Sequence, residues 1–144
     1  MFDISHLHPL TVHFPVALII TGFFFEVLSL FFNKKEPCLS RAGFYLMLLG
    51  TVGAVAAYFT GEFFTEELKG KAGEMEELHE VFAKITMFTM IATSVLRIFL
   101  MIRKKENTGW KWAIFSLYFI GFVFVGITGL YGGTLVYNFI IGGL

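Results

Sequence analysis

The sequence predicts an all-α fold, an integral membrane four-helix bundle, and three observations predict it. The composition is too apolar for water: 56% of residues are hydrophobic and 15% charged, with mean hydropathy +0.74, whereas a soluble domain is roughly half apolar and about a quarter charged. Four apolar runs each reach the ~20 residues that a helix needs to cross a bilayer. The charges fall between those runs rather than inside them. The runs lack the in–out alternation of a lipid-facing strand, which excludes a β-barrel.

The spans are read as 11–32, 42–64, 81–102 and 112–133, forming a single domain over 1–144. The first ten residues lack the basic head of a cleavable signal, so the first run is read as a true span. Lys34, Lys35 and Arg41 follow the first span, and Arg103, Lys104, Lys105 and Lys111 follow the third. By the positive-inside rule these loops face the cytoplasm and both termini face outward. The outer face is acidic, with Asp3, Glu62, Glu66, Glu67, Glu74, Glu76, Glu77 and Glu80 against Lys69 and Lys71. Trp110 and Trp112 suit an inner interfacial anchor. The expected setting is a bacterial inner membrane.

Shifting the chain along itself by 71 residues lays His8 on His79, Gly50 on Gly121 and Gly61 on Gly132. This is the signature of a duplicated two-helix hairpin, whose copies would share one orientation in the membrane. The same shift pairs Glu26 with Arg97, the deepest charges. Unpaired, either would cost several kcal/mol inside the bilayer, so a structural ion pair between helices 1 and 3 is expected.

From Glu26 back to His8, and from Arg97 back to His79, is 18 residues, five helical turns and hence the same face. His8 and His79 should meet near the outer boundary. Because Pro15 can bend helix 1, His13 is an alternative partner. Glu62 reaches the same layer, and helix 4 brings Gly129, Gly132, Gly133 and Tyr137. Two imidazoles from different helices with glycines beside them can hold haem iron. His8, His13, His79 and Glu62, with His6, could equally hold a transition-metal ion without a macrocycle. The plain alternative is a non-catalytic scaffold whose polar cluster only packs helices and binds no cofactor.

Lone Cys38 excludes a disulfide framework or a CxxC motif. No serine or cysteine nucleophile lies beside a plausible base, so the chain is not expected to be an enzyme by itself. The basic loops are short and explained by orientation, which argues against nucleic-acid binding.

The opening His8-Pro-Leu-Thr-Val-His13-Phe-Pro15, together with Gly61-Glu62, His79, Leu96-Arg97 and Gly132-Gly133-Thr-Leu-Val-Tyr137, resembles the DUF2231 family of predicted bacterial membrane proteins over nearly the whole chain. Glu62 departs from an expected aspartate, and 138–144 lacks a Gly-Val-rich ending. The resemblance implies four helices and directs attention to His8, His13, Glu62, His79, Arg97 and Tyr137. It also hints at company with iron–sulfur redox modules. The functional expectation is a membrane electron-transfer or redox-accessory protein binding haem b near the outer face, in contact with the lipid bilayer and a redox protein partner.

Overall fold

Each apolar run becomes one helix, because lipid leaves the backbone no partner but itself. The computed structural model describes residues 7–32, 36–65, 68–105 and 109–141; Asp3, His6, Lys34, Lys35, Glu66, Glu67, Glu106 and 142–144 lie outside them. The helices are α1 (Leu7–Phe32), α2 (Cys38–Phe64), α3 (Lys71–Ile102) and α4 (Trp110–Thr134), the last continued by a π-helical segment, Leu135–Ile141. All four are long and apolar enough to cross a membrane. All four helices start ahead of the runs read in the sequence, α2 at Cys38 and α4 at Trp110, and α4 with its π continuation also ends later. α1 starts at Leu7, with His8 and Pro9 in its first turn, where proline's missing N–H costs nothing. α3 starts at Lys71, ten residues ahead of its apolar run, because Lys-Ala-Gly-Glu-Met-Glu-Glu-Leu is rich in strong helix formers.

α1 packs mainly on α2, and α3 on α4, while α2–α3 and α1–α4 contacts close the ring. α1 and α3 therefore stand diagonally, facing each other across the bundle axis. The repeat is visible in what is buried. Pro15, Ile19, Gly22, Phe23, Glu26 and Ser29 on α1 are matched 71 residues later by buried Thr86, Met90, Thr93, Ser94, Arg97 and Leu100. Gly43, Met47, Gly50 and Ala54 on α2 are matched by buried Ile114, Tyr118, Gly121 and Val125. Within the four helices Thr51, Ala57 and Met87 are the exceptions, their counterparts Phe122, Thr128 and Val16 being half-buried. Two hairpins related by a pseudo-two-fold along the bundle axis account for this register.

The expected ion pair forms. Arg97 Nη1 donates to Glu26 Oε2 at 2.8 Å, with both residues 6% exposed. Arg97 Nη2 reaches Ser40 Oγ at 3.4 Å, and the guanidinium lies 5.3 Å from the centre of the Phe44 ring. Gly43 makes room beside the pair: a Cβ there would sit 3.2 Å from the Glu26 backbone nitrogen. Above it, Thr51 and Ser94 hydroxyls meet at 2.9 Å. Fully buried Ile19, Met47, Met90 and Tyr118 then fill the axis, and Tyr118 donates to the Ile19 carbonyl at 3.2 Å.

Glycine sets how closely the helices of each hairpin approach. A Cβ on Gly50 would stand 2.7 Å from Ile19 Cγ1, and one on Gly121 2.5 Å from Met90 Sδ. The methionine can swing away; the branched isoleucine cannot.

Removing one partner of the ion pair, as in Glu26→Ala, is expected to destabilise the bundle by about 3–5 kcal/mol. Exchanging the pair, as in E26R/R97E, should recover most of that loss, because the two positions are pseudo-equivalent. Reversible unfolding in detergent micelles measures both; an exchanged pair no more stable than the single variant would contradict the pseudo-symmetric placement.

Candidate functional site: two histidines on the pseudo-symmetry axis

The shared phase of His8 with Glu26 and of His79 with Arg97 carries the two imidazoles to the axis at the acidic end of the bundle. Their ring centres stand 6.2 Å apart with planes crossed at 81°. His8, not His13, is the α1 histidine that faces α3.

Each ring is seated in the same way on its own hairpin. His8 lies on Gly61, where a Cβ would fall 3.0 Å from its Cε1; His79 lies on Gly132, where the corresponding distance is 3.1 Å. A helical side chain covers the turn preceding its own Cα, so a glycine uncovers the carbonyl four residues earlier. For Gly132 that carbonyl belongs to Thr128, and His79 Nδ1 donates to it at 3.0 Å. For Gly61 it belongs to Ala57, which His8 reaches through a hydroxyl: His8 Nδ1 meets Thr60 Oγ1 at 3.2 Å, and that hydroxyl donates to the Ala57 carbonyl at 3.0 Å. Ala57 and Thr128 are themselves 71 residues apart.

The Thr128 carbonyl only accepts, so Nδ1 of His79 carries the proton and its Nε2 keeps its lone pair; at His8 the Thr60 hydroxyl donates its own proton to Ala57 and accepts from Nδ1, with the same result. This is the tautomer of a metal-ligating histidine, whose second nitrogen is held by a carbonyl that fixes ring orientation and raises ligand basicity. The Thr86 and Thr128 hydroxyls, 3.3 Å apart, form a polar floor beneath His79.

The remaining candidates are placed apart from the pair. His13 is exposed on the flank of α1, and Glu62 is exposed at the end of α2. Gly129 and Gly133 meet nothing among the described residues within 4 Å of a built Cβ, and Tyr137 is 70% exposed. These three lie on the open side of α4, whereas Gly132 faces His79. Among the described residues no group of three or more histidine, cysteine or acidic side chains is arranged to hold a metal ion. The donor set is thus two equivalent imidazoles, which fits the axial positions of a haem iron or a two-nitrogen site on a bare metal. Sequence reasoning missed the anchors Ala57, Thr60 and Thr128. The signal for two of them was available, since each carbonyl stands one turn before a glycine that repeats with its histidine.

A family model described as a predicted membrane protein, DUF2231, matches residues 5–143. The chain belongs to the DUF2231 family. No curated protein and no solved structure matches it. In this DUF2231 chain the family match therefore covers both hairpins and both histidine seats.

Gly132→Ala is expected to push His79 off the Thr128 carbonyl at a cost of about 1–3 kcal/mol, with Gly61→Ala acting likewise on His8. Nitrogen-15 spectra of the rings should show loss of the fixed Nδ1-protonated tautomer in each variant. An unchanged tautomer would mean that the glycines do not set the rings.

Proposed function

We propose that the chain is a membrane electron carrier that holds b-type haem iron between Nε2 of His8 and Nε2 of His79, with this end facing the outer side of a bacterial inner membrane. One observation carries the reading: two imidazoles, each seated on a glycine of its own hairpin and held through Nδ1, meet at the pseudo-two-fold axis. Their ring centres stand 6.2 Å apart, and each ring, held through Nδ1, would offer Nε2 to the iron. When bound, the haem would supply a one-electron couple. The chain's own part is to pre-set both rings, keep Nε2 deprotonated and surround the ligands with low-dielectric helix. A redox protein docking at this end is the partner that such a carrier requires.

A haem-free transition-metal ion on the same pair is the second reading. It is favoured by the close seating of both rings on Gly61 and Gly132, which keeps the pair compact. His6, in the segment just before α1, would be its nearest further ligand in sequence.

The optical spectrum and metal content of protein purified from membranes distinguish these readings. The first expects a Soret band with low-spin bis-imidazole character, lost in His8→Ala and in His79→Ala and retained in Glu62→Gln. Stoichiometric metal without porphyrin absorbance decides for the second. Protein that acquires neither band nor metal on reconstitution, while the histidine variants lose stability, overturns both in favour of a scaffold.

A further inference from the structure

The two histidine seats share a plan but differ in what flanks them. Beside each imidazole stand two further positions: the residue one turn later on its own helix, and the residue just before the glycine on the facing helix. On the first hairpin these are Thr11 and Thr60, and 71 residues on they are Phe82 and Tyr131. All four are half-buried. The first pair is polar, its hydroxyls 3.5 Å apart. The second is aromatic, its rings stacked with centres 5.5 Å apart and planes at 11°. Phe82 stacks in turn on Phe124, 5.9 Å away. The hairpins have thus diverged at the paired imidazoles themselves, where their glycines and histidines repeat.

The difference reaches the ring nitrogens. His79 Nδ1 donates directly to a backbone carbonyl, Thr128, at 3.0 Å, and a carbonyl offers a ring only one choice of proton position. The hydroxyls beneath it are committed as well, Thr86 donating to the Phe82 carbonyl and Thr128 to the Phe124 carbonyl, each at 2.8 Å. His8 Nδ1 instead meets the Thr60 hydroxyl at 3.2 Å, whose own proton goes to the Ala57 carbonyl at 3.0 Å. A hydroxyl donates as readily as it accepts. Turned onto Nδ1, it would leave the ring proton on Nε2 and remove the lone pair that a metal needs. The Ala57 carbonyl opposes that turn only weakly, because inside α2 it also accepts the Gly61 N–H one turn later. Position adds to the contrast. His79 stands two turns inside α3, whereas His8 lies in the first turn of α1, where backbone N–H groups have no partner within the helix.

We propose that the site has one fixed and one adjustable ligand: His79 is set by the backbone, and His8 is made competent to bind by Thr60, a positioning residue. The assignment of both rings as ligands rests on the reading that iron or a bare metal ion binds between them. Thr60 acts through His8 and not on the metal. By accepting from Nδ1 it keeps the proton there, frees Nε2 and raises the ring's basicity as a donor. A side-chain substitution therefore tunes one ligand and leaves the other alone.

Full-length protein with nitrogen-15 in its histidines, held metal-free in dodecylmaltoside micelles and then titrated with haemin, tests this. Thr60→Val keeps the shape of the side chain and removes the hydroxyl. It should raise the Nε2-protonated share of His8 and leave the His79 signals in place. Haemin affinity should fall by about 10–100-fold, and Thr60→Ser should restore both readouts. Iron bound by Thr60→Val should also have a higher reduction potential, because a weaker His8 donor supports ferric iron less; loss of packing alone would leave that potential unchanged. Unchanged His8 signals in Thr60→Val, equal changes at both rings, or a Thr60→Ser variant no better than Thr60→Val overturns the assignment. Should Thr60→Val misfold, wild-type protein decides. An Nδ1 proton of His8 with a nuclear Overhauser contact to the Thr60 methyl supports the role, and a proton on Nε2 of the metal-free ring overturns it. The metal-free spectra are independent of the electron-carrier reading. A His8 response to Thr60→Val in protein that takes up neither haemin nor metal would retain Thr60 as the residue that sets His8 and refute the carrier. Haemin bound by Thr60→Val with wild-type affinity and potential would do the reverse.

Discussion

The Glu26–Arg97 pair fixes the register on which every other contact in the bundle depends, because in lipid an apolar side chain gains little by turning inward. A stripe of leucines or phenylalanines is nearly indifferent to which face it presents. A carboxylate and a guanidinium deep in the span are not, since each has few partners other than the opposite one. Once they meet, the rotations of α1 and α3 about their axes are set, and so is every residue at whole-turn spacing from them. His8 and His79, five turns away, reach the axis for that reason. Glycine then converts register into proximity: Gly43, Gly50 and Gly121 let backbones close until Ile19 and Met90 fill the centre without a gap.

The two polar pairs on the axis differ in kind. Two identical hairpins related by a two-fold would place like residue against like residue at every axial position. For charges that arrangement is repulsive, and only a fused chain can let one copy carry glutamate and the other arginine. The histidines have remained alike, each on a glycine and each held through Nδ1, His79 by the Thr128 carbonyl and His8 by the Thr60 hydroxyl that donates to the Ala57 carbonyl. An internal tie requires complementary groups; a ligand with two equivalent coordination positions requires equal ones. This contrast is the physical basis for assigning structure to the first pair and ligand binding to the second.

Much of this was legible in the sequence, and for stated reasons. Span number followed from bilayer thickness, and the ion pair from the cost of isolated charge. The His8–His79 meeting followed from the fivefold multiple of 3.6 residues. What stayed illegible was whatever depends on helix tilt and on lipid-facing surfaces. Pro15 made His13 as good a partner as His8, because a kink at that position would have turned the helix by an amount that no pattern reveals. In the structure α1 keeps its phase through Pro15, which is itself buried and packs on Gly53. Gly129, Gly132 and Gly133 read alike as letters, yet Gly132 faces His79 and the others face outward, a difference of about 100° per residue that separates core from lipid. The start of α3 was misplaced because apolarity marks the span and not the helix, which its acidic first turns extend beyond the bilayer run.

The pseudo-symmetry also explains how one fold can host different chemistry in its two outer grooves. Burial constrains the inner positions of both hairpins, so those positions repeat in their pattern if not in identity. The grooves between hairpins carry no such constraint, and there the copies have diverged completely: Tyr58, Glu62 and Lys84 on one side stand against Gly129, Gly133 and His13 on the other. A lipid-facing glycine forfeits side-chain packing and adds backbone freedom, a cost repeated three times along a single stripe of α4. Filling that stripe would have been as simple on α4 as it is on α2. The asymmetry thus lies where packing no longer holds the two copies alike, on surfaces that face lipid rather than the bundle axis.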